Sequence, residues 1–357
     1  MARQHIIFLD YLRTIACLMV ILVHATEFFY INSEGISIAN NTDLTIVAIL
    51  NSACRAAVPL FVIASSYLLV PLRGEVSVYA KRRVTRVFFP FVVWSLFYAI
   101  VPDFVYGVGA EGVLPKLNRL LYNFNEESGH LWYIYMIAGV YLIIPIISPW
   151  LHQASKRAEE VFLGIWFLST FYQYVSPFLG GWLGECGWNE FHSLYYYSGY
   201  IGYVVLGHYI KVHLKMSTSK AIRVGLLTFL VGYAFTALTF YNHGANSTDY
   251  FYVELPWRFC TFNVALMAFG LFLMISKINY QAKWLYSPVR SFSNMSYGIY
   301  LCHLFILVIM YQLLSPVCDT LTTILCSWSA TALLSWILIK SLSYLPGAGY
   351  FAGAQSK

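Results

Sequence analysis

Runs of about 20 predominantly apolar residues recur along this chain from end to end, separated by short connectors. No soluble core of this size can hide some ten such runs. A bilayer takes each one as a helix, because about 30 Å of hydrocarbon demands that length and the helix satisfies its own backbone polar groups. Composition agrees: 59% of the 357 residues are hydrophobic and only 11% are charged. The sequence therefore predicts an all-α integral membrane protein, a polytopic bundle of about ten transmembrane helices. The spans are expected near 8–30, 44–70, 87–107, 130–150, 159–179, 195–212, 221–241, 255–276, 291–314 and 320–342. With no repeat, low-complexity tract or Pro/Ser linker, residues 1–357 read as a single transmembrane domain.

Charge sorts the connectors. Arg3 precedes the first apolar run, but Asp10 and Arg13 interrupt its start and no small-residue cleavage site follows Val23, so it reads as an uncleaved span with a cytoplasmic N-terminus. Alternating from there puts all but four of the 22 Lys and Arg residues on the inner face. The outer connectors keep Lys116 and Arg119, while Arg55 and Arg258 fall within spans or at their outer ends. The expected location is the cytoplasmic (inner) membrane, with both termini cytoplasmic and lipids as neighbours. The net charge of +6 is accounted for mostly by this topology, and nothing in the pattern points to nucleic acid.

Seven cysteines show no CxxC or Cys/His spacing suited to zinc, so no metal is expected. Cys54, Cys186, Cys260 and Cys318 lie toward the outer side, where a disulfide is chemically possible and the pairing is open. The longest outer connectors, 31–43, 108–129, 180–194 and 242–254, are rich in aromatic and acidic residues, as in Trp182-Leu-Gly-Glu185 and Trp188-Asn-Glu-Phe-His192. Such aromatics form an interfacial belt or stack on a sugar headgroup.

Ionisable groups inside spans are costly, and each is a candidate for function. Asp10, Arg13 and His24 fall within about 60° of one another on the first helix, so they face one neighbour or one cavity. Arg13 and His24 stand roughly 16 Å apart along it, too far to pair. Asp10 and Arg13, at i, i+3, either neutralise each other where the helix starts or serve chemistry. His24 either packs against another helix or accepts a proton near neutral pH, as activation of a hydroxyl requires. Glu27, at i+3 from it, either orients the imidazole or ends the helix in solvent. Lys81, Arg82, Arg83 and Arg86 cluster on the first inner loop, where guanidinium forks suit the phosphates of a cytoplasmic cofactor or anchor the chain to anionic lipid. Arg55 lies near the outer depth of His24, four residues before a helix-bending Pro59, and either binds an acceptor or snorkels to the interface. His130 with Trp132, His208 and His303 are lone residues best read as packing or anchoring.

The order of these residues resembles the membrane-bound acyltransferase 3 family. The resemblance runs from Asp10-Tyr-Leu-Arg13 with His24 through Val58-Pro-Leu-Phe61 and Ser66-Tyr67 to Arg83-Val-Thr-Arg86, His130-Leu-Trp-Tyr133 with Pro145, and Ser296-Tyr-Gly-Ile-Tyr300 with His303. Asn51-Ser-Ala-Cys-Arg-Ala-Ala-Val-Pro-Leu-Phe61 looks most like the branch containing the enterobacterial common antigen O-acetyltransferase, and Ala64-Ser-Ser66 departs from the usual Ile-Ser-Gly.

The resemblance implies transfer of an acyl group, by family habit acetyl from acetyl-CoA, to a hydroxyl of a surface glycan or its lipid-linked precursor. Arg83 and Arg86, with Arg13, would bind the acyl-CoA phosphates. His24 would act as base or acyl carrier, supported by Asp10 and Glu27, while Arg55 and Trp132 would meet the acceptor. The competing class is a transporter or flippase of a lipid-linked sugar, with His24 as proton relay and Arg55 as anion contact. Matching halves with broken helices, common in transporters, are not found here. An acyltransferase-like assembly or export partner for polysaccharide synthesis is the third class.

Overall fold

The structure is a computed structural model that describes residues 5–32, 34–106, 112–120, 122–179 and 195–354. In chain order the helices are α1 (Ile7–Glu27), α2 (Asn41–Cys54), α3 (Ala57–Leu69), α4 (Val76–Arg83), α5 (Phe89–Tyr106), α6 (Val113–Arg119), α7 (Trp132–Gln153), α8 (Lys156–Ser169), α9 (Tyr172–Leu179), α10 (Tyr195–Ser198), α11 (Ile201–Val212), α12 (Thr218–Asn246), α13 (Tyr250–Val253), α14 (Phe262–Ile275), α15 (Lys283–Leu314), α16 (Thr320–Leu342) and α17 (Ala348–Phe351). One small hairpin, β1 (Ile31–Asn32) with β2 (Gly35–Ile36), pairs antiparallel between α1 and α2. The protein is all-α and polytopic, as expected.

Eight stretches among the described residues are long and apolar enough to cross a membrane, and they coincide with eight of the ten expected spans. The other two, near 159–179 and 195–212, are divided into α8 with α9 and α10 with α11. Between α8 and α9 the hydroxyls of Ser169 and Thr170 donate to the carbonyls of Trp166 (2.6 Å) and Phe167 (2.5 Å), competing with the helix ladder. The stretch Asn41–Leu69 is broken between α2 and α3 at Arg55 and Ala56. Pro59 has no N–H to give the carbonyl four residues earlier, that of Arg55, so the ladder lapses there and resumes at Leu60 N–H to Ala56 O, 3.0 Å.

The helices form two compact units that alternate along the chain, one of residues 1–73 and 142–281 and one of 74–141 and 282–357, with the second boundary falling inside α7. In the first, α12 packs closely on α14 because small residues face each other: a Cβ on Gly225 would lie 2.7 Å from the Gly270 carbonyl. Tyr30, Leu44, Val47, Phe240, Val253 and Trp257 form a core against which Ile31 and Ile36 of the hairpin pack. Trp257 stacks on Phe240 with centroids 3.5 Å apart. In the second unit α15 pairs with α16, and α17 folds back on α5, where Trp94 Nε1–H donates to Phe351 O at 3.0 Å.

Cys17, Cys54, Cys260, Cys302, Cys318 and Cys326 are free thiols. Cys186, with the acidic and aromatic residues of 180–194, lies outside the described residues.

Candidate active site

The C-terminal end of α1 is where polar chemistry concentrates in the first unit. His24 Nδ1–H donates to Glu27 Oε2 at 2.6 Å, so Glu27 is an imidazole partner as well as a helix end. With Nδ1 committed there, Nε2 is the ring nitrogen left to accept a proton. One step on, Asn51 Nδ2 donates to Thr26 Oγ1 at 2.7 Å and ties α1 to α2. The same amide uses Oδ1 to accept Arg55 Nε–H at 2.6 Å.

Arg55 sits where α2 ends, and burial explains how it is held. It is 6% exposed, and its guanidinium lies 4.1 Å from the Trp257 ring centroid. The Trp257 indole N–H is itself fixed to Ser52 Oγ at 2.8 Å. Arg55 Nη2 is buried and, among the described residues, has no hydrogen-bond partner. Its charge acts on Glu27 and on the phenols of Tyr30 and Tyr250.

Glu254, between α13 and the turn at Leu255–Trp257, completes this group. Tyr30 O–H donates to Glu254 Oε1 at 2.7 Å, and Tyr250 interacts with the same carboxylate. Burial first, then the Glu254 and Glu27 carboxylates, push the Tyr30 phenol well above the ordinary tyrosine range, with Arg55 pulling the other way. Tyr250 moves in the same direction, by burial and by Glu254. His24, Glu27, Tyr30, Arg55, Tyr250 and Glu254 thus form one electrostatic group from three separate chain segments.

At the opposite end of α1, a cavity of about 300 Å³ is lined by His5, Leu9, Asp10, Arg13, Tyr67 and Lys211, among others. Asp10 is buried and takes a bond from His5 Nε2 at 2.7 Å. Lys211 donates to Val70 O at 3.1 Å and lies 5.6 Å from the Tyr67 ring centroid. Asp10 and Arg13 therefore line one cavity, whereas His24, expected on the same stripe, is not among its lining residues. Buried Glu159 lies between His208 Nδ1 and His213 Nε2, each 3.0 Å away, giving His208 a carboxylate partner.

In the second unit the expected inner loop is helical. Lys81–Arg83 close α4, and a π-helical turn over Val84–Phe88 carries the chain into α5. Lys81, Arg82 and Arg86 are exposed while Arg83 is half-buried. The Arg83 guanidinium lies 5.3 Å from the Tyr141 ring centroid and 5.8 Å from that of Tyr79. Its Nε is buried without a hydrogen-bond partner among the described residues. Tyr297 O–H holds the turn through Val87 O at 2.7 Å. Trp132 opens α7 in this unit, half-buried beside Tyr133, whereas Arg55 belongs to the other. His130 and His303, read from the sequence as lone residues, meet with ring centroids 5.1 Å apart, and Tyr300 O–H donates to His130 O.

Sequence reasoning missed Tyr30, Tyr250, Glu254 and Trp257. The signal was Tyr250-Phe-Tyr-Val-Glu254-Leu-Pro-Trp257-Arg258, in which an acid lies among aromatics at the mouth of a span. Lys211 and Tyr141 were missed as well, since each gains meaning only from its partner. Among the described residues no three His, Cys, Asp or Glu side chains are placed to hold a metal ion.

A family model described as an acyltransferase domain, acyltransferase 3, matches residues 6–340. No curated protein and no solved structure matches the chain.

Proposed function

The chain belongs to the acyltransferase 3 family of membrane acyltransferases, and from that premise we propose that it moves an acyl group, acetyl, from cytoplasmic acyl-CoA to a hydroxyl of a cell-surface glycan or its lipid-linked precursor in the inner membrane. The observation that carries this reading is the His24–Glu27 pair at 2.6 Å. An imidazole whose Nδ1–H is held by a carboxylate is set to take a hydroxyl proton at Nε2, and the carboxylate stabilises the imidazolium that results.

In the reaction the acceptor oxygen attacks the thioester carbonyl as His24 takes its proton. The tetrahedral intermediate then collapses, the C–S bond breaks, and CoA leaves as a thiolate that takes up a proton. Arg83 and Arg86 are assigned the donor phosphates, because guanidinium forks bind phosphate oxygens in pairs. Arg13, on the cavity near Asp10, is assigned the same class of contact. Arg55 is assigned to the acceptor, as is Trp132.

The experiment uses purified protein in vesicles supplied with acetyl-CoA and the cell's own surface-glycan fraction, scored for free thiol. Wild type is expected to release thiol, His24→Ala to be inactive, and Arg83→Ala to need more donor for the same rate. Equal behaviour of all three with empty vesicles refutes the proposal. Mass spectrometry of surface glycans with and without the gene identifies the acceptor.

A further inference from the structure

Resting on the acyltransferase reading above, we infer that Arg55, Glu254 and Tyr250, beside the His24–Glu27 pair, form an acceptor subsite for a neutral sugar, one that disfavours acidic sugars.

The first ground is the unmade bond at Arg55. A buried guanidinium nitrogen without an acceptor is costly, and this side chain is 6% exposed with Nη2 unpartnered among the described residues. It cannot readily turn away, because Asn51 holds its Nε at 2.6 Å and Trp257 holds its face. The free edge is therefore oriented in advance for an oxygen that the described residues do not supply.

The second ground is charge. Arg55 and the two carboxylates, Glu27 and Glu254, sum to a formal charge of minus one when the imidazole is neutral. Arg258 is engaged separately, donating to Gln173 Oε1 at 3.3 Å and to Phe251 O at 3.4 Å. A carboxylate on the ligand would gain Arg55 but face both glutamates. A neutral C–O–H serves both sides, since its oxygen accepts from Arg55 and its hydrogen is donated to a glutamate. Neighbouring hydroxyls on one pyranose ring repeat that pattern.

The third ground is the surface beside the polar group. Tyr250 and Phe251 are 41% and 72% exposed on the short α13, just ahead of Glu254. Aromatic faces of this kind pack on the C–H side of a sugar while polar neighbours take its hydroxyls.

The test is binding, measured separately from transfer. The full chain in nanodiscs would be examined by saturation-transfer NMR with methyl glucoside, methyl galactoside and methyl N-acetylglucosaminide, and with methyl glucuronide and methyl galacturonide. At least one neutral glycoside is expected to bind, at least tenfold more tightly than its uronide counterpart. Glu254→Gln still accepts the Tyr30 bond but removes one negative charge. It should weaken the neutral sugar about tenfold while shifting the neutral-to-uronide ratio toward the uronide, a change that mere loosening of the fold would not produce. Uronides binding as tightly as the neutral sugars, an unchanged ratio in Glu254→Gln, or no binding by any glycoside would each overturn the inference. Absence of thiol release from acetyl-CoA by wild type would instead refute the acyltransferase chemistry proposed above, whatever the sugars do.

Discussion

Substitution of Glu27 tests whether that carboxylate acts through His24. The 2.6 Å contact is a hydrogen bond to a charged group, a class worth about 1.5–3 kcal/mol. Glu27→Ala removes it entirely, which corresponds to a roughly ten- to hundredfold loss of kcat/KM if the bond is strongest when His24 is protonated in the transition state. Glu27→Gln keeps a neutral hydrogen bond of about half the strength, so its loss is roughly three- to tenfold. Side-chain exposures of 16% for His24 and 32% for Glu27 admit some water, which puts the expected values in the lower half of each range. His24→Ala should cost roughly 10²- to 10⁴-fold. The decisive measurement is the double-mutant cycle, read as initial rates of thiol release from acetyl-CoA in vesicles, with circular dichroism as a check on folding. If Glu27 works only by orienting and charging the imidazole, adding Glu27→Ala to His24→Ala costs nothing further. A second, equal loss in that background would show that Glu27 acts on substrate or fold independently and would refute this reasoning.

Replacing Arg83 by Ala should raise the KM for acetyl-CoA roughly tenfold or more, with Lys a poor rescue because it lacks the planar fork, and a KM unchanged in both variants removes Arg83 from donor binding. Gly225→Leu drives a side chain into the Gly270 carbonyl, so it should cost about 1–3 kcal/mol and lower the Tm in detergent; an unaltered Tm would mean that α12 and α14 are not packed this closely. Tyr30 is held protonated in the fold above the ordinary value of 10.0, so above about pH 10 the unfolded chain releases a proton that the folded chain retains. Stability therefore falls as pH rises past that point, and Tyr30→Phe should lessen the drop in Tm between pH 9 and pH 11.

The spans were legible because hydrocarbon leaves little choice: an apolar run of sufficient length is a helix, and eight of ten proved long and apolar enough to cross a membrane. The break at Arg55 was foreshadowed by Pro59, since a missing N–H acts at a fixed offset. His24 stood out by cost, being an ionisable group in a span, and Glu27 by its spacing from it. What sequence did not yield depends on distance across the chain. Glu254 lies over 220 positions from Tyr30, and no local pattern announces that their side chains meet at 2.7 Å. Nor could helical periodicity show the inward turn of Arg83, because the ring it turns toward, Tyr141, lies on another helix. His130 and His303 looked like isolated packing residues for the same reason, until α15 brought them together.

The alternation of the two units along the chain bears on how the protein is made. A ribosome that has released residues 1–73 has supplied α1 through α3, yet the partners that bury them, α11, α12 and α14, belong to residues 142–281. The intervening helices must enter the bilayer first, and they in turn wait for α15 to α17. Neither half can finish as a domain folding in turn from the N-terminus, so Arg55 and His24 spend the interval without Trp257 and Glu254 beside them. During synthesis these costly groups depend on whatever holds unassembled helices at the insertion site.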